Sequence, residues 1–140
     1  MTHAIEITTE PTEADRDAIL KPLVAYNAEH AGKGDYGELA LLVRDAAGEI
    51  VGGLYARSVY DWMFVELLVV PEALRGQGVG SELMARAEDA ARTRGCAGIW
   101  LDTFSFQARP FYERLGYALF GSLPDHPRGH SRYFLSKLLG

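Results

Sequence analysis

A chain of 140 residues, 48% apolar and 24% charged, has the size and composition of one ordinary globular domain, which excludes disordered and fibrous architectures. Its net charge of -5, from 14 basic and 19 acidic residues, argues against a protein that binds nucleic acid by neutralising many phosphates. Cys96 is the only cysteine, which excludes an internal disulfide and fits a reducing, cytoplasmic setting.

In chain order, Ile5 and Ile7 alternate with polar neighbours and read as a short first strand. Thr12 and Asp15 then offer capping chemistry for a helix over 12–29, with Ala18, Ile19, Leu23 and Tyr26 on one stripe and Pro22 as a kink or break. After the loop HAGKGDYG, the segments 39–43 and 50–60 read as a hairpin around DAAGE. The segment 62–70 is the longest apolar run, interrupted by Glu66, and suits a strand covered on both faces. Neither it nor the first residues, MTHAIEITTEP, read as a membrane span or a leader peptide.

Beyond this strand, Val79, Leu83, Met84, Ala87, Ala90 and Ala91 recur at helical spacing, Glu88 and Arg92 form a pair four apart, and Gly95 is a stop. The segment 99–103 is a short strand, so strand, helix and strand form a right-handed crossover between parallel neighbours. A second helix is predicted over 106–115, with Pro110 in its first turn and Gly116 ending it. The segments 117–122 and 132–138 read as closing strands around LPDHPRGHS. The fold class is α/β: a mixed sheet with central parallel strands, flanked by helices.

Between the apolar strand and the first of these two helices stands Arg75-Gly76-Gln77-Gly78-Val79-Gly80-Ser81. Glycines ahead of a helix let the backbone turn tightly and bare its N–H groups at the positive end of the helix dipole, where an anion is the natural guest. A tight turn that needs small residues only for packing is the plainer alternative. A dinucleotide fingerprint requires a third glycine where Ser81 stands, and a nucleoside-triphosphate loop requires a lysine that is missing.

Arg75, Gly78 and Gly80, followed downstream by Phe111-Tyr112-Glu113-Arg114-Leu115-Gly116-Tyr117, form a two-part pattern. It resembles the acyl-coenzyme A site of the GCN5-related N-acetyltransferase (GNAT) family. The likeness covers 62–117 well and the flanks only by strand order. It implies one GNAT domain over 1–140 that transfers an acetyl group from acetyl-CoA to a primary amine of a small molecule or peptide, by direct attack in a ternary complex. A non-catalytic acyl-CoA sensor on the same fold is the alternative.

The same resemblance implies site residues. The pyrophosphate would rest on backbone N–H groups of Gly76, Gln77, Gly78, Val79, Gly80 and Ser81, with Arg75 at the entrance. The pantetheine arm would follow the strand edge at Leu68, Val69 and Val70, and Gln107 would touch it. Tyr112 would be the acid that protonates the departing thiolate. It also reads, more plainly, as a core aromatic.

Glu66 is the candidate base: a carboxylate inside an apolar strand, placed by period-two alternation on the face of Leu68 and Val70, where burial would raise its pKa. A strand glutamate that meets solvent or an arginine is its alternative, with water then the base. Asp102 and Thr103, at the end of the 99–103 strand that precedes the Tyr112 helix, are further candidates for the same site. His126 and His130 frame Pro127-Arg128-Gly129 in a loop whose residues forbid the helix that a metal pair at this spacing needs, so no metal is expected. They read either as solvent-facing or as lining the acceptor site. Trp62 and Trp100 read as core or interface aromatics, and Cys96 as an inert small apolar residue. A homodimer is compatible with the sequence, which does not specify the oligomeric state.

Overall fold

The computed structural model describes residues 2–140. They fall into two compact units, one ending at Gly34 and one spanning Asp35–Gly140.

The first unit contains α1, Glu13–Ala31. Thr12 caps it in a reciprocal box: its hydroxyl accepts from the Asp15 N–H at 3.1 Å, and the Asp15 carboxylate accepts from the Thr12 N–H at 2.9 Å. The helix runs on through Pro22 rather than breaking there, although proline removes one intrahelical donor. No residue of α1 is buried. Ile5 and Ile7 do not form the expected strand; both are more than four-fifths exposed, and neither pairs with another strand. Alternation supplies the side-chain pattern of a strand but not the ladder partner that makes one.

The second unit is a six-stranded sheet with two α-helices. Its strands are β1 (Gly37–Arg44), β2 (Ile50–Val59), β3 (Trp62–Val69), β4 (Gly98–Phe104), β5 (Ala118–Pro124) and β6 (Ser131–Leu138), in the spatial order β1-β2-β3-β4-β6-β5. Only β3 and β4 are parallel neighbours, joined by α2 (Val79–Thr93). The short α3 (Arg109–Arg114) follows β4, with Pro110 in its first turn as expected. β6 inserts between β4 and β5.

The core lies between the sheet and α2. Leu83, Met84, Ala87 and Ala91 of α2 pack with Leu54, Ala56, Met63, Val65, Ile99 and Leu101 of the central strands. Each large aliphatic side chain buried this way contributes roughly 1.5–3 kcal/mol, and the alanines let the helix approach the sheet closely. Gly95, at φ +78°, stops α2 as the sequence indicates. Arg94 then secures the helix end by donating to the Ser58 hydroxyl at 2.9 Å and the Glu38 carbonyl at 2.7 Å.

The opposite sheet face carries Phe64 stacked on Trp100 at 4.0 Å, with the Arg57 guanidinium over Phe64. Trp62, Trp100 and Phe120 line an open depression there, so the two tryptophans belong to this half-buried face and not to the core. β3 is therefore not covered on both faces: Leu67 is 58% and Val69 55% exposed. Its continuous apolarity serves a packed face and an aromatic one. Among the described residues no helix is long and apolar enough to cross a membrane, and no group of three or more His, Cys, Asp or Glu side chains is placed to hold a metal.

Candidate active site

The site begins where a ladder stops. β3 and β4 are paired from Trp62–Gly98 to Val65–Leu101 and no further, although both strands continue. At the same level β3 slips against β2: Tyr55 pairs with Leu67 and Ala56 with Val65, so Glu66 is the extra residue of a β-bulge. The bulge turns β3 away from β4 and leaves the β4-facing edge of Leu67 to Val70 without a strand partner.

This edge is one wall of a cleft of about 880 Å³. Its floor is the turn from β3 into α2, and its far wall is the β4–α3 turn with α3 itself. Gly76 (φ +77°) and Gly78 (φ +79°) hold left-handed backbone, and a Cβ on either would meet no heavy atom within 4 Å. Their lack of a side chain thus serves conformation and an open surface rather than packing. Gly78 is the N-cap of α2 and supplies no side-chain cap, leaving the N–H groups of the first turn, at Val79, Gly80 and Ser81, without intrahelical partners. Gly80 has another reason: a Cβ there would come within 3.2 Å of the Phe111 ring, so its absence lets α3 pack on the start of α2.

Of the cofactor residues expected from sequence, Leu68, Val69, Val70, Arg75, Gly76, Gly78, Val79, Gly80, Ser81 and Gln107 all line this cleft. The Gln77 side chain turns away to donate to the Ala73 carbonyl at 3.1 Å. Arg75 donates from Nε to the Val70 carbonyl at 3.3 Å, tying the loop to the strand end. Gln107 lines the cleft and accepts from the Phe104 N–H at 2.7 Å through its side-chain oxygen. Thr103 is buried and its hydroxyl accepts from the Ala108 N–H at 3.4 Å, so it shapes the turn from within.

Tyr112 lines the cleft while only 7% exposed, and its hydroxyl hydrogen-bonds to no described residue. Burial, and then the charge of Asp102, push its phenol up to about 12. Phe111 and Tyr117 meet it edge-on at 5.1 and 6.2 Å.

Glu66 departs from expectation. The bulge interrupts the alternation, so it does not share the face of Leu68 and Val70; its carboxylate accepts from Arg57 at 2.8 Å beside Phe64 and is 40% exposed. The expected burial is absent, because the inserted residue breaks the alternation from that point on. Asp102 also lies on the aromatic face, paired with Arg132 at 2.8 Å. Cys96 is buried and has its thiol pushed up by that burial, which keeps it protonated and inert.

Two features escaped the sequence reading. Glu88 keeps its i,i+4 pair with Arg92 at 3.7 Å but is buried, and it also accepts from the Tyr117 hydroxyl at 3.0 Å and from Lys137 at 2.9 Å. Phe106 lines the cleft although no spacing rule marks an isolated aromatic in a turn.

The model of the acetyltransferase (GNAT) family matches residues 4–117. The chain belongs to that family. Acetyltransferase Atu2258 of Agrobacterium fabrum is 42% identical over 125 residues, 89% of this chain and 90% of that one. Blasticidin-S acetyltransferase of Streptomyces morookaense is 46% identical over 93 residues, covering 66% and 68%. The crystal structure of an acetyltransferase from Bacillus cereus ATCC 14579 superposes with a TM-score of 0.83 at 34% identity, over 96% of this chain and 98% of that one.

As a GNAT acetyltransferase, this chain is an acyltransferase that uses acetyl-CoA as cosubstrate. The cleft fits such a molecule: it pairs an anion-binding helix start, floored by two side-chain-free left-handed residues, with a strand edge whose backbone groups are open to an amide-bearing arm.

Proposed function

We propose that this GNAT chain acts as a single N-acetyltransferase domain over 1–140 and transfers the acetyl group to a primary amine by direct attack in a ternary complex. The observation that carries the reading is the parting of β3 and β4 beside a cleft that Tyr112 lines, with Glu66 at the bulge where the strands part. The thioester lies in the gap. Its pyrophosphate sits on the first-turn N–H groups of α2 beside Gly76 and Gly78, and its arm follows Leu68 to Val70 with the Gln107 amide opposite.

The acceptor approaches from the aromatic face. Its ammonium passes one proton through water to Glu66 and thence to solvent, and the freed nitrogen lone pair attacks the thioester carbonyl carbon. A backbone N–H of the open β3 edge stabilises the oxyanion. As the C–S bond breaks, the sulfur takes a proton from the Tyr112 hydroxyl, and the nitrogen's second proton restores the phenol. The products are the N-acetyl amide, free coenzyme A thiol and one proton. Because Glu66 is exposed and paired, it acts as a relay at the mouth and not as a buried base.

The relative named for blasticidin-S favours a small-molecule acceptor over a peptide. A free-thiol release assay with acetyl-CoA and a panel of small amines and peptides tests the reading. Thiol release stimulated by at least one amine is expected. Coenzyme A binding without amine-stimulated release from any of them would favour an acyl-CoA sensor and overturn catalysis.

A further inference from the structure

At the turn after β4 the structure gathers four rings that the steps above do not use, and one of them, Phe106, lines the cleft. Phe104 ends β4, Phe106 stands in the following turn, and the β5–β6 loop brings His126 and His130 against them. The rings of Phe104 and Phe106 are nearly parallel, 5° apart with centroids at 5.4 Å. His126 meets Phe104 at 61° and His130 meets Phe106 at 70°, as steep walls.

The cluster is held rigidly. The Ser105 N–H donates to the Ser131 carbonyl at 2.8 Å and the Ser131 N–H to the Ser105 hydroxyl at 3.0 Å, locking the β4–α3 turn to the start of β6. The histidine loop closes on itself, with the His126 N–H donating to the His130 carbonyl at 3.1 Å and the Gly129 N–H to the Asp125 carboxylate at 2.7 Å. In this setting Phe106 stays 57% exposed while lining the cleft beside Gln107.

We propose that Phe106 is the acceptor platform and that the acceptor carries its amine next to a planar aromatic or heteroaromatic ring. The proposal rests on the acetyltransferase reading above and names the class of its substrate. A site for a bare cation converges ring faces from several directions on one point. Here the two phenylalanines present parallel faces, a column that another flat ring extends, and the Arg132 guanidinium already lies over Phe104, 5.7 Å from its centroid. The steep histidines then bound the flat acceptor at its edges and turn its amine toward the gap between β3 and β4.

The test needs no turnover. Isothermal titration onto protein saturated with coenzyme A compares 2-phenylethylamine with 2-cyclohexylethylamine, which match in charge and chain length but differ in planarity. The phenyl amine is expected to bind about fivefold more tightly, the size of a ring-stacking contribution. Phe106→Leu should bring the ratio of the two dissociation constants to within twofold of unity, and Phe106→Trp should keep it. Equal affinities in the wild type, no binding of either amine, or an unchanged ratio in Phe106→Leu would each overturn the platform. If the wild type bound no coenzyme A, the acetyltransferase seat itself would fail; coenzyme A binding without a planar preference sinks the platform alone.

Discussion

At Tyr112 a packing requirement and a chemical one coincide. Burial beside Phe111 and Tyr117 raises the phenol's pKa, and the hydroxyl, neutral below pH 10 even without that shift, is in the protonated form a donor requires. Tyr112→Phe keeps the ring and removes the proton. Turnover in the thiol-release assay should fall by about 100-fold or more, with the dissociation constant for acetyl-CoA within about threefold of wild type; undiminished turnover would remove Tyr112 from the mechanism. The pH dependence follows from the sign of the shift. Native protein holds this proton up to about pH 12 and the unfolded chain only to 10.0, so the neutral phenol's contribution is complete below pH 10 and is lost as pH rises to 12. That loss is about 3 kcal/mol. Denaturant titrations of wild type and Tyr112→Phe should run parallel below pH 10, with the wild type losing stability faster above it. Tyr117, pushed up by burial and by Glu88, steepens the same decline in both proteins.

Elements meet at Glu88. Its carboxylate joins α2 to Lys137 of β6 and to Tyr117 just after α3, so the helix that offers its N-terminus to the cleft is fixed to the segment carrying Tyr112. Glu88→Ala would strand a buried phenol and leave Lys137 unpaired, at a cost of about 3 kcal/mol. A fall in melting temperature of about 6–12 °C is expected for a chain of this size, and a fall of under 2 °C would show the network to be dispensable. The sequence conceals this role because an i,i+4 Glu–Arg pair reads as a surface feature until the partner strand is known, and nothing local reveals that β6 lies beside β4. The bulge at Glu66 is hidden for a related reason: period-two alternation is counted along one strand, whereas an inserted residue is defined only by its register with another. By contrast, α2, its Gly95 stop, the β1–β2 hairpin and the parallel crossover were legible, since each depends on contacts or backbone angles set within a short stretch. The cleft was legible at Gly76 and Gly78 because left-handed backbone before a helix selects glycine directly, whereas Phe106 depends on which loops the topology brings together.

In the second unit as a whole, the cleft draws on α2, β3, the β4–α3 turn and α3, so a ligand seated there bridges elements from the middle and the end of the chain. Binding to the native state alone raises stability by RT ln(1 + [L]/Kd), about 2.7 kcal/mol at 100 times Kd. Coenzyme A at that concentration should therefore raise the melting temperature by about 8 °C. Gly78→Val separates the seat from the scaffold. Valine must adopt φ +79°, which costs about 1–2 kcal/mol, and its side chain occupies the open floor of the cleft. The variant should melt a few degrees below wild type and show no shift at the coenzyme A concentration that saturates wild type. Gly80→Ala provides the contrast: its Cβ would press on Phe111 and not on the floor, so it should lose stability but keep most of the ligand-induced rise. If Gly78→Val kept the full shift, the phosphates would not rest on the first turn of α2, and the glycines of this turn would be left with a purely conformational role.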